Sequence, residues 1–166
     1  MIIVPLHGHD RSQFSCGNAD LDSYLKAKAS QHQRLSANQT YVGIVDEKLV
    51  GFLTVTVREF NRNDAAGELA KHPPFPLPVL LLARLGIDQT AQRKGLGGRF
   101  VVHVCRLARS LRAAVGCVGV LVDSKASSVG FYERLGFVPV AGGAIGLNRM
   151  FLPITNIPDD TPRGLS

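Results

Sequence analysis

The stretch that most limits what this chain can fold into is residues 79–87, Val-Leu-Leu-Leu-Ala-Arg-Leu-Gly-Ile, with the glycine turn that follows it. A near-continuous apolar run, interrupted by Arg84 and Gly86, reads as a strand buried on both faces, and Gly86 marks a bulge or a close approach to the backbone. The chain then turns through Gln92-Arg93-Lys94-Gly95-Leu96-Gly97-Gly98. From Gly98 to Ala114, Val101, Val104, Cys105, Ala108 and Leu111 form one helical stripe. A strand that passes through a glycine turn into a helix aims several free N–H groups and the positive helix end at one point, where phosphate binds. Gly95 and Gly97 permit positive φ and close approach, and Arg93 and Lys94 add charge at the rim. The spacing is neither that of a nucleoside-triphosphate loop nor GxGxxG. Read in isolation, the turn fits an ordinary structural turn equally well.

The remaining pattern supplies context. Phe14-Ser15-Cys16-Gly17-Asn18 reads as a turn, with Asn18 or Asp20 capping a helix that ends near Ala29, and residues 31–38 suit a second short helix. Residues 41–45 and 49–57 are β-branched and aromatic, and the break at Asp46-Glu47-Lys48 predicts an antiparallel hairpin. Residues 58–78 turn polar and then proline-laden, which predicts a long loop. A buried strand at 118–122, a short helix at 127–135 and a closing strand pair at 137–140 and 149–154 complete an α/β domain around a mixed sheet. One domain is expected over residues 1–157, followed by a disordered tail at 158–166.

The formal charge of +6 favours an anionic partner. No carboxylate lies between Asp88 and Asp123, whereas Arg93, Lys94, Arg99, Arg106, Arg109 and Arg112 all do; a solvated helix face explains this as well as a binding surface does. Cys16, Cys105 and Cys117 lack metal-ligand spacing and are expected to be free thiols, with no metal bound. No apolar run is long enough to span a membrane and the start lacks a secretory layout, so a cytoplasmic location is the expectation.

Two motifs now carry a resemblance. Residues 85–98, Leu-Gly-Ile-Asp-Gln-Thr-Ala-Gln-Arg-Lys-Gly-Leu-Gly-Gly, resemble the acetyl-CoA motif (Q/R-x-x-G-x-G/A after a bulged strand) of the GNAT N-acetyltransferases. Phe131-Tyr132-Glu133-Arg134-Leu135-Gly136-Phe137 is similar to their second signature, A-x-x-x-Y-x-x-x-G-F. The resemblance implies the GNAT fold with a splayed, bulged strand. It further implies acetyl-CoA as cofactor, with Leu85, Gly86 and Ile87 along the pantetheine arm. Arg93, Lys94, Gly95, Leu96, Gly97 and Gly98 would hold the pyrophosphate, and Phe131 is a further cofactor-binding residue. Tyr132 matches the tyrosine that protonates the departing thiolate. Lys125 and Ser128 stand where many members have Asn and Ala, so an asparagine contact is not implied.

The opening Phe14-Ser15-Cys16-Gly17-Asn18-Ala19-Asp20-Leu21-Asp22-Ser23-Tyr24-Leu25 resembles a narrower group, the GNAT toxins of bacterial toxin–antitoxin pairs, as do Arg84-Leu85-Gly86-Ile87-Asp88 and Val122-Asp123-Ser124-Lys125. Gly86 replaces the usual alanine. This resemblance implies acetylation of the α-amine of aminoacyl-tRNA, a block of translation, a ribbon-helix-helix antitoxin and a homodimer. Lys26, Lys28, Arg34, Arg84, Arg99, Arg106 and Arg109 are then the candidates for tRNA contact. Residues 79–87 hold no carboxylate to act as base, which suits a weakly basic α-amine; Glu59 and Glu68 remain alternatives. A small-molecule N-acetyltransferase and a non-catalytic acetyl-CoA-binding module are the other readings.

Overall fold

The computed structural model describes residues 1–64, 67, 69, 71–73 and 76–157. Glu68 and the expected tail at 158–166 lie outside the described residues. Among the described residues seven strands form a mixed sheet in the order β1-β2-β3-β4-β5-β7-β6. They are β1 (Ile2–Pro5), β2 (Gln39–Val45), β3 (Lys48–Phe60), β4 (Leu77–Ile87), β5 (Gly119–Ser124), β6 (Val138–Pro139) and β7 (Asn148–Pro153). The helices are α1 (Ala19–Ser23), α2 (Ala29–Arg34), α3 (Leu96–Ala114) and α4 (Val129–Arg134). The chain divides into two compact units, residues 1–58 with 80–104, and residues 59–79 with 105–166.

In the first unit, β2 and β3 form the expected hairpin. Asp46 and Glu47 make the turn with φ of +47° and +64°, the left-handed geometry that a two-residue hairpin loop needs. Thr40 and Thr54, both fully buried and directly paired, join their hydroxyls at 2.9 Å and fix the register. Asn18 is the helix cap, its Oδ1 accepting from the Asp20 and Leu21 amides.

The two expected helices are one path. Between α1 and α2, residues Tyr24–Lys28 form a π turn in which the Ala29 N–H reaches back to the Tyr24 carbonyl. Such a turn widens the helix, and here Arg11 donates to the Leu25 carbonyl at 3.0 Å and to Ser30 Oγ at 2.9 Å. The core of this region joins Leu6, Phe14, Tyr24, Leu25, Ala29, Val42 and Phe52.

In the second unit, β7 pairs antiparallel with both β5 and β6, as expected for the closing strands. The predicted loop at 58–78 is shorter than expected, because β3 continues to Phe60 and β4 already includes Pro78. Pro78 is the second residue of its strand, where its missing N–H costs little, and its carbonyl accepts from the Val118 N–H at 2.9 Å. Expected burial of residues 79–87 on both faces holds for Val79, Leu80 and Leu82, whereas Ala83 is exposed and Arg84 half-buried.

Gly86 is explained by packing within the first unit. A Cβ there would stand 2.8 Å from Phe52 Cε1 and 3.4 Å from Cys16 Sγ, so the phenyl ring fills the room that an alanine methyl would take. Gly86→Ala is expected to destabilise the protein by about 1–3 kcal/mol. In a Phe52→Leu background the same change should cost less, so that urea unfolding of the four proteins of this cycle returns a favourable coupling; strict additivity would remove the steric account.

Candidate functional site

The glycine turn is held by polar contacts from within its own unit. Gln92 donates through Nε2 to the carbonyls of Cys16 and Ile87, each at 2.9 Å. The Gln89 amide donates to the Ser15 carbonyl at 2.8 Å, and the Ser15 amide to Asp88 Oδ2 at 3.1 Å. Asp88 also accepts from the Thr90 hydroxyl at 2.6 Å and the Thr90 amide at 3.0 Å. Gly17, at φ +83°, brings its backbone against Gln89, where a Cβ would meet Nε2 at 2.9 Å. The Cys16-Gly17-Asn18 motif is therefore a docking loop for the end of β4.

From this anchor the chain swings through Arg93 (φ +61°) and Gly95 (φ +75°) into α3. The Arg99 N–H bonds the Gly95 carbonyl, so the Leu96, Gly97 and Gly98 amides precede that helical bond and are the orphan donors of a helix start. A Cβ at Gly95 or Gly98 would meet no protein atom within 4 Å; a side chain there would occupy the open space beside the amides. Beside the turn a cavity of about 400 Å³ lies among Met1, Lys48, Val50, Thr90, Lys94 and Arg99. Lys94 is tethered to the Thr90 carbonyl at 3.0 Å, and Arg99 to the Met1 carbonyl at 3.2 Å. Orphan amides of a helix start, open space and basic side chains fit a diphosphate.

Tyr132 lies in the second unit, on α4, 6% exposed. Phe131 and Phe137 meet its ring edge-on, with centroids 5.0 and 5.3 Å away. Burial pushes its phenol up to about 12, so the hydroxyl keeps its proton across the physiological range. Among the described residues nothing accepts a hydrogen bond from it. The thiols are ill suited to nucleophilic work: burial, with Asp22 adding to it, raises Cys16 to about 11, and burial alone raises Cys105 to about 11. All three cysteines are free, and Cys117 is buried.

The match to known proteins agrees with this geometry. Residues 6–137 match the model of the acetyltransferase (GNAT) family. The chain belongs to that family. This GNAT chain is 32% identical over 119 residues to a tRNA-acetylating toxin of Mycobacterium tuberculosis (strain ATCC 25618 / H37Rv), covering 69% of each chain. The structure of AtaT complexed with acetyl-methionyl-tRNAfMet matches it with a TM-score of 0.85 at 25% identity, over 94% of this chain and 96% of that one. A tyrosine-to-phenylalanine mutant of AtaT, bound to the C-terminus of the antitoxin AtaR and acetyl-CoA, matches with a TM-score of 0.78 at 27% identity over 94% of each chain.

The structure sorts the basic residues. Lys28 and Arg84 line one cavity of about 480 Å³ in the first unit. Lys26 and Arg34 are exposed on the helical path, and Arg106 is exposed on α3. Arg109 donates to the Ile157 carbonyl at 2.8 Å, a contact that ties α3 to the segment after β7. Glu59 is exposed on β3. Sequence reasoning missed Lys48 beside the turn and the position of Tyr24 under Arg84, because neither contact leaves a local pattern.

Two outcomes are expected. Gly98→Glu places a carboxylate among the orphan amides, which suits a helix start, so calorimetry should show acetyl-CoA affinity down by at least about tenfold while Tm is held or raised. Asp88 is held below its ordinary 3.8: burial opposes this, but the Thr90 hydroxyl and the Ser15 and Thr90 amides outweigh it. A depressed folded pKa contributes stability that is present above 3.8 and lost as pH falls through the folded value. The urea midpoint of the wild type should therefore fall more steeply below pH 4 than that of Asp88→Asn; parallel profiles would contradict the linkage.

Proposed function

We propose that this GNAT protein transfers the acetyl group of acetyl-CoA to the α-amine of aminoacyl-tRNA, and so acts as a translation-blocking toxin in the cytoplasm. The likeness to the tRNA-acetylating toxin, at 32% identity over 69% of both chains, carries this reading. The glycine turn supports it with open space beside Gly95 and Gly98, and Lys28 and Arg84 add positive charge elsewhere in the same unit.

When bound, acetyl-CoA supplies an acetyl thioester. We assign its pyrophosphate to the amides and side chains of residues 93–98, and its pantetheine arm to the backbone of Leu85, Gly86 and Ile87; the motif that holds Tyr132 also assigns Phe131 to the cofactor. Tyr132 is the proton donor to the departing sulfur. The new C–N bond forms as the C–S bond breaks, the amine gives its proton to water, and the phenolate is reprotonated from solvent. An α-amine near pKa 7.7–8.0 is partly neutral without help, which fits a β4 that carries no carboxylate. A phenol at about 12 is a reluctant acid, so it moves its proton only as negative charge builds on sulfur. A ribbon-helix-helix antitoxin and a homodimer complete the proposed assembly.

Expression of the wild type should arrest growth, and mass spectrometry of charged tRNA incubated with acetyl-CoA should find N-acetylated aminoacyl ends. In Tyr132→Phe, kcat on charged tRNA should drop about 100-fold with acetyl-CoA binding retained. Full toxicity of that variant would sink the role of Tyr132. Turnover of free polyamines or amino acids with translation unaffected would move the substrate to small amines.

A further inference from the structure

The cavity that holds Lys28 and Arg84 lies apart from the glycine turn in its lining residues, and none of the cofactor contacts above uses it. Arg84 places its guanidinium carbon 3.7 Å over the centroid of the Tyr24 ring. The ring itself is fixed, with its hydroxyl donating to Asn38 Oδ1 at 3.3 Å and the His32 ring edge-on at 5.6 Å. Tyr24 is 4% exposed, and it begins the π turn, a distortion frequent at functional sites. Among the described residues the Arg84 side chain makes no hydrogen bond or ion pair. A planar cation is thus held against an aromatic face with its donors uncommitted.

Taking up the tRNA reading above, on which this inference rests, we propose that the cavity takes one unpaired nucleotide of the single-stranded 3′ end of the RNA. The base stacks on the guanidinium plane of Arg84 and the phosphate meets Lys28. Arginine planes are a recurring platform for unpaired bases, and a cation already stacked on tyrosine loses little freedom when a base arrives. The other lining groups favour a nucleotide over bare phosphate. Asp20 repels an anion but accepts from base amino groups or ribose hydroxyls, and Gln31 both donates and accepts. The volume of about 480 Å³ is of small-ligand size.

The test uses an RNA minihelix with 2-aminopurine placed in turn at each unpaired 3′ position, alongside a blunt duplex of the same sequence. Wild-type protein should quench one position on binding. Arg84→Met should abolish that quench, and Arg84→Lys, which keeps the charge but not the plane, should weaken binding of the overhang by roughly tenfold. With the aminoacylated minihelix, KM should rise by a similar factor in both variants and kcat should change much less. Lys28→Ala, at an exposed position, should lower the salt dependence of binding by about one ion. That variant probes the same cavity should Arg84→Met fail to fold, and an unchanged salt dependence would remove the phosphate contact. Wild-type binding and KM in Arg84→Lys would overturn the stacking role, and an unchanged quench in Arg84→Met would overturn the site. A wild type that quenches the uncharged minihelix yet acetylates no charged RNA would overturn the tRNA-acetylation reading instead.

Discussion

The polar clamp at the end of β4 is the constraint on which the first unit depends. Gln92 bonds two carbonyls that are far apart in sequence, those of Cys16 and Ile87, while Asp88 and Gln89 take up the amide and carbonyl of Ser15. These bonds satisfy backbone groups where neither strand nor helix is available to do so. They also set the direction in which the chain leaves the strand. Arg93 and Gly95 then adopt left-handed φ values, and α3 begins where a Cβ at Gly95 or Gly98 would meet open space. A phosphate site made of backbone amides is only as well ordered as the segment that presents them, so the clamp belongs to the site although it touches no ligand.

A second arrangement follows from the same docking. Asn18 caps α1, and the helical path then distorts into the π turn at Tyr24–Lys28, steadied by Arg11 on the Leu25 carbonyl. Tyr24 packs in the core with Phe14 and Phe52 while its ring carries Arg84. Phe52 in turn occupies the room beside Gly86. One aromatic cluster therefore links the N-terminal loop, the π turn and β4, and it explains why glycine rather than alanine stands at 86.

Much of this was legible in the residues. The hairpin, the Asn18 cap, the stripe of α3 and the closing strand pair all follow from patterns a few residues long, because strand alternation, helical periodicity and cap chemistry are near-neighbour effects. The loop expectation at 58–78 failed in part because a proline near a strand start costs no ladder bond, which the residue type alone does not reveal. Splitting the N-terminal helix in two failed because the residues at 24–28 carry no sign of an i→i+5 turn; the partner that accommodates it, Arg11, lies outside the helix.

The sequence by itself determined the strand, glycine turn and helix in order, the excess of basic over acidic residues after Asp88, and the two motifs that place the chain among the GNAT acetyltransferases. Local sterics and spacing are enough for those features. Only the tertiary structure decided that Gln92 is a clamp, that Gly86 answers to Phe52, that Arg109 is committed to the Ile157 carbonyl, and that Arg84 rests on the Tyr24 ring. Each of those is a contact between residues distant in the chain, set by how the elements pack, and no pattern along the sequence encodes it.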